Sequence, residues 1–96
     1  MVMLDPEKVE KLIEFLKSQG ASKISIFGSY ARNDHSPESD LDIMVDFSDR
    51  KSLIDLIGME QELSDMIGIK VDLLTERSIS PYILDEIRKD IAVVYG

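Results

Sequence analysis

The sequence predicts an α/β fold of two layers, a small mixed sheet with helices packed mainly on one face, in one domain spanning residues 1–96. Three observations predict it. Short apolar runs at Ile24–Phe27, Leu41–Val45 and Ile69–Leu74 have the length and alternation of strands, and between them apolar residues recur at helical spacing. In the first run Ile24 and Ile26 share one face while Ser25 and Phe27 share the other, so both faces are at least partly covered. A chain of 96 residues buries about 60–65% of its unfolded surface, enough for one modest core and no second domain.

The elements follow in order. A helix is expected over residues 5–19: Asp5 caps it, Pro6 occupies the first turn where its missing N–H is harmless, and Val9, Leu12, Ile13 and Leu16 line one side until Gly20 stops it. Ala21 to Phe27 forms the first strand, and Ser29 to about Asn33 a short helix; Asn33 suits a left-handed backbone position. His35, the only histidine, belongs to a polar loop and is expected to be exposed, with Ser36 and Pro37 turning the chain into a second strand. That strand, Ser39 to about Phe47, carries Leu41, Ile43 and Val45 on one face and Asp42, Met44 and Asp46 on the other.

Ser48 or Asp49 is expected to cap a helix over residues 51–67, with Leu53, Leu56, Ile57, Leu63 and Ile67 inward and Met59 and Met66 widening the stripe. Gly58 costs this helix about 1 kcal/mol relative to alanine, and Glu60 within the stripe implies a partly open flank. Gly68 ends it, and a third strand, Ile69 to Leu74, turns Lys70, Asp72 and Leu74 to one face. After a loop from Thr75 to Ser80, Pro81 opens a last helix to about Lys89 with Ile83, Leu84 and Ile87 inward, and Ile91 to Tyr95 adds a short edge strand. Such an edge invites pairing with another chain, so a homo-oligomer or hetero-complex is expected; Tyr82 and Tyr95 either join that interface or finish the core.

Charge narrows the function. Eleven basic residues against nineteen acidic ones leave −8, and between Ile24 and Asp49 Arg32 is the one basic residue against six acidic. Nucleic-acid binders draw their affinity from basic surface, so the balance argues against direct nucleic-acid binding and toward a basic protein partner. With no cysteine there are no disulfides or thiolate metal sites. No stretch reads as a signal peptide or membrane span, so the expected location is the cytoplasm, with no membrane partner.

The chemistry is concentrated in two short motifs. Gly28-Ser29 follows the first strand, and ten residues later comes Asp40-Leu41-Asp42 at the second. Gly28 lets the backbone approach an anion closely, and Ser29 offers an N–H and a hydroxyl, which suits a triphosphate. Alternation places Asp40 and Asp42 on one face of the strand, where two carboxylates repel unless a cation sits between them. Oxygen ligands of this kind suit Mg²⁺. Asp46 lies on the same face but too far beyond Asp40 to join them. Arg32 either approaches the phosphates or pairs with Asp34 or Glu38 to hold the loop, the pairing being the favoured reading.

Gly28-Ser29, ten residues, then Asp40-x-Asp42 resembles the signature of the nucleotidyltransferase superfamily that includes DNA polymerase beta. The wider run, GSYAR followed by SDLDIMV, is similar to the minimal nucleotidyltransferases, which are paired with HEPN proteins as antitoxin and toxin. Those relatives usually have glycine where this chain has Asn33. The resemblance implies two Mg²⁺ ions bridged by Asp40 and Asp42, with Asp72 as the third carboxylate from the neighbouring strand, completing the acceptor-side ion and helping to deprotonate the acceptor. It implies Gly28 and Ser29 on the β and γ phosphates of ATP. It further implies AMP transfer to a tyrosine hydroxyl of a cognate HEPN toxin, with the acceptor surface borrowed from that partner. Two other expectations stand beside it: a non-catalytic antitoxin that acts by occlusion, and a transferase acting on RNA or a small molecule.

Overall fold

The structure is a computed structural model that describes residues 4–34, 36 and 38–96. Its elements are α1 (Pro6–Ser18), β1 (Ala21–Phe27), α2 (Ser29–Arg32), β2 (Leu41–Phe47), α3 (Leu53–Ile67), β3 (Val71–Thr75), a 3₁₀ turn (Glu76–Ser78), α4 (Pro81–Arg88) and β4 (Ala92–Tyr95). The four strands form one sheet in the order β3-β2-β1-β4. β1 runs antiparallel to both β2 and β4, whereas β2 and β3 are parallel, so the sheet is mixed as expected. The expectations for His35 and Pro37 lie outside the described residues; beside them, the Ser39 N–H donates to the Ser36 carbonyl at 3.0 Å.

The core lies between the sheet and the pair α1 and α3. Leu12 and Leu16 of α1 and Leu63 of α3 are fully buried against Ile24, Ile26, Leu41, Ile43 and Val45, each such side chain contributing roughly 1.5–3 kcal/mol. The opposite face is covered too: Ser25, Phe27 and Met44 are buried there. Arg88 and Ile91 border a cavity of about 120 Å³ with Ser25 and Met44, which places the chain at the end of α4 over that face. Tyr95 is packed against the core, with the Lys17 ammonium 5.0 Å from its ring centre, while Tyr82 is exposed. Among the described residues, no helix is long and apolar enough to cross a membrane.

Several boundaries differ from expectation for identifiable reasons. β2 starts at Leu41, not Ser39, because the Leu41 N–H makes the first bond across to β3, to the Lys70 carbonyl at 2.8 Å. β3 correspondingly starts at Val71 and extends through Thr75. The cap of α3 is Ser52, not Ser48 or Asp49: its hydroxyl accepts the Asp55 N–H at 3.1 Å, and the Asp55 carboxylate accepts the Ser52 N–H at 3.1 Å. These reciprocal bonds make a capping box.

Three inward assignments also fail, two in α3 and one in α4. Leu53 is 72% exposed and Ile57 46%. At about 100° per residue, Leu56, Met59 and Ile67 lie within about 40° of Leu63, whereas Leu53 and Ile57 lie about 80° and 120° round the helix. In α4, Ile83 is exposed as well; Leu84 and Ile87 are the half-buried side of that helix.

Candidate active site

The sheet topology brings the two motifs into contact. Because β1 and β2 are antiparallel neighbours, the end of one meets the start of the other, with Phe27 opposite Asp42. Gly28 follows with φ 74° and ψ −151°, and a Cβ built on it would run into the Asp42 carboxylate. Any side chain there is excluded twice, by the backbone conformation and by Asp42. α2 then turns the chain away, with the Arg32 N–H bonded to the Gly28 carbonyl at 3.1 Å. Asn33 closes it in the left-handed conformation, φ 61° and ψ 30°, as its identity suggested.

The third carboxylate comes from the parallel neighbour. Asp72 of β3 stands directly opposite Asp42 of β2 in register. Asp40, just before β2, extends alongside, its carboxylate 3.8 Å from the Lys70 ammonium. Burial raises the Asp42 carboxyl to about 6, and the charges of Asp72 and Asp40 push it the same way, opposed by Arg32. Asp72 is also raised, first by burial and then by the charges of Asp40 and Glu60, with Lys70 opposing. The three carboxylates thus raise one another's proton affinity across neighbouring strands.

Three carboxylates so placed carry more negative charge than Lys70 and Arg32 balance, and mutual repulsion resists closing them around one point. Among the described residues, no three acidic or histidine side chains stand in a complete cation-ligating arrangement. The donor set nonetheless fits a hard divalent cation: it is oxygen only, and its members stand on neighbouring strands.

Arg32 is engaged as the favoured reading expected. Its guanidinium meets Asp34 at 3.1 Å and, unforeseen, Asp90 at 3.6 Å, contacts that raise it further above the usual arginine value. Asp46 is separate from the trio; burial and Glu76 raise it. Glu60, read only as a sign of an open flank, instead accepts the Leu73 N–H at 2.8 Å.

Two sizeable depressions lie elsewhere. One, of about 670 Å³, separates α1 from β4, and one of about 540 Å³ is bordered by Phe47, Lys51 and Arg77. The carboxylates occupy neither, so recognition at them rests on charge and backbone more than on enclosure.

Comparison with known proteins agrees with this geometry. The family described as nucleotidyltransferase domain matches residues 9–94. A Methanocaldococcus jannaschii protein, named provisionally as a protein adenylyltransferase, is 47% identical over 77 residues, covering 80% of this chain and 83% of that one. The protein adenylyltransferase MntA of Thermococcus cleftensis is 32% identical over 99 residues, covering 98% of this chain and 100% of its own. Among solved structures, a toxin–antitoxin complex with AMP-PNP aligns with a TM-score of 0.85 at 27% identity, over 92% of this chain and 73% of that one. A tri-AMPylated Shewanella oneidensis HEPN toxin with its MNT antitoxin aligns at 0.78 and 25%, over 94% and 71%.

Proposed function

Because the chain belongs to the nucleotidyltransferase domain family, we propose that it is a protein adenylyltransferase, moving AMP from ATP to a tyrosine hydroxyl of a HEPN-domain partner and so acting as an antitoxin. The observation that carries this reading is the meeting of Gly28 with Asp42, and of Asp42 with Asp72, at one end of the sheet. The relatives support the partner and the donor, one being an adenylyltransferase, another a complex holding AMP-PNP, a third an AMPylated toxin with its antitoxin.

Asp40, Asp42 and Asp72 would hold two Mg²⁺ ions, Asp72 the one on the acceptor side; when bound, these ions neutralise phosphate charge and acidify the acceptor hydroxyl. Gly28 presents bare backbone, and Ser29 an N–H and a hydroxyl, to the β and γ phosphates. Arg32 can add its guanidinium to them by leaving Asp34 and Asp90, an exchange of one exposed ion pair for another. Asp72 takes the proton of the acceptor hydroxyl. The freed oxygen attacks the α-phosphorus in line, the bond to the bridging oxygen of the β-phosphate breaks, and pyrophosphate leaves. An open carboxylate surface lets a protein hydroxyl reach the phosphate and leaves orientation of the acceptor to the partner.

The test is transfer of label from α-³²P-ATP with Mg²⁺ and a HEPN partner. Label on the partner that disappears with Asp42→Asn is the expected result. Neutralisation of the partner with no label transferred would instead establish occlusion, and label appearing only on RNA or small molecules would move the acceptor.

A further inference from the structure

Among the described residues β3 is an edge strand, with β2 on one side and no strand on the other. Val71 and Leu73 are buried, at 1% and 4% exposure, and their N–H groups point to the strandless side. Buried donors of this kind need acceptors. α3 provides them from its side chains: the Ser64 hydroxyl accepts the Val71 N–H at 2.9 Å, and the Glu60 carboxylate accepts the Leu73 N–H at 2.8 Å. Ser64 is itself held by donating to the Glu60 carbonyl at 2.8 Å. These bonds fall on the residues immediately before and after Asp72. The backbone that presents Asp72 is therefore gripped by β2 on one edge and by α3 on the other.

We infer that Glu60 is a positioning residue for nucleotidyl transfer, holding from α3 the strand that sets Asp72 opposite Asp42. The inference rests on the transferase reading above. Glu60 acts through Asp72 and the Leu73 amide, and touches neither nucleotide nor acceptor. The geometry also explains why a glutamate interrupts the apolar stripe of α3: an apolar residue there would leave the Leu73 N–H buried without an acceptor.

The experiment compares wild type, E60A and E60Q for Mn²⁺ affinity by electron paramagnetic resonance, and for kcat and KM for ATP in transfer to a HEPN partner. Glutamine keeps an oxygen able to accept the Leu73 N–H; alanine does not. E60A is expected to weaken Mn²⁺ binding and lower kcat, each by about 10–100-fold, as the loss of an orienting partner does. KM for ATP should stay within about threefold, because the phosphate contacts belong to Gly28 and Ser29. E60Q should restore both readouts to near wild type. Should E60A not fold, E60D carries the same prediction, since it keeps the charge but falls short by a methylene. Unchanged Mn²⁺ affinity and kcat in the folded variant, whatever its melting temperature, would overturn the positioning role alone. A wild-type protein that neither binds Mn²⁺ nor transfers label would overturn the transferase reading beneath it.

Discussion

Asp42→Asn should stabilise the metal-free protein while abolishing its chemistry. Burial and the neighbouring carboxylates lift the Asp42 carboxyl from 3.8 to about 6, which corresponds to about 3 kcal/mol at about 1.36 kcal/mol per pH unit. Asp42 is only half-buried, so solvent on its open side reduces the figure to about 1–2 kcal/mol. The sign follows from linkage: a carboxyl with a raised folded value disfavours folding when ionised, fully above about pH 6, and the penalty disappears as it protonates between about 6 and 3.8. Asparagine has the same shape and no charge. In metal-free buffer at pH 7.5, thermal unfolding of D42N should therefore lie about 5–10 °C above wild type, and below about pH 4 the two curves should coincide. A D42N protein less stable than wild type at pH 7.5, or a gain that persists undiminished at pH 4, would refute the reasoning. The first outcome would mean that Asp42 is stabilised by its surroundings, the second that the effect is packing and not charge.

Other outcomes follow from the same geometry. Gly28→Ala should cost about 1–3 kcal/mol, from the positive φ and the collision with Asp42, and should abolish label transfer; pairing it with Asp42→Ala should return part of the lost stability in urea unfolding. Ser52→Ala should lower stability by about 1 kcal/mol through loss of the α3 cap while leaving transfer at the wild-type rate, since Ser52 follows the end of β2 opposite to Asp42. Asn33→Val should cost about 1–2 kcal/mol because a β-branched residue is strained at φ 61°, whereas Asn33→Gly should be neutral or slightly stabilising in the same unfolding assay.

How far the sequence could be read depended on whether a feature was local. β1 and the ends of α2 were legible because alternation, Gly28 and Asn33 act within a few residues of themselves. That Asp72 stands opposite Asp42 was legible only through the family resemblance, since nothing local says that β3 lies parallel to β2. Leu53, Ile57 and Ile83 were misplaced because an apolar residue at helical spacing does not disclose how far round the helix its support extends. The α3 cap was within reach: Ser52 and Asp55 have capping-box spacing, but with aspartate in the place usually held by glutamate or glutamine. The bond from Glu60 to Leu73 crosses thirteen residues and two element types, and no periodicity encodes it.

The most direct measurement is a crystal structure with Mg²⁺ and a non-hydrolysable ATP analogue. Oxygens of Asp40, Asp42 and Asp72 all within about 2.1 Å of bound ions, with the β and γ phosphates on the Gly28 and Ser29 amides, is the predicted result. Asp72 turned from the ions, or the triphosphate lodged in either of the larger depressions, would contradict it.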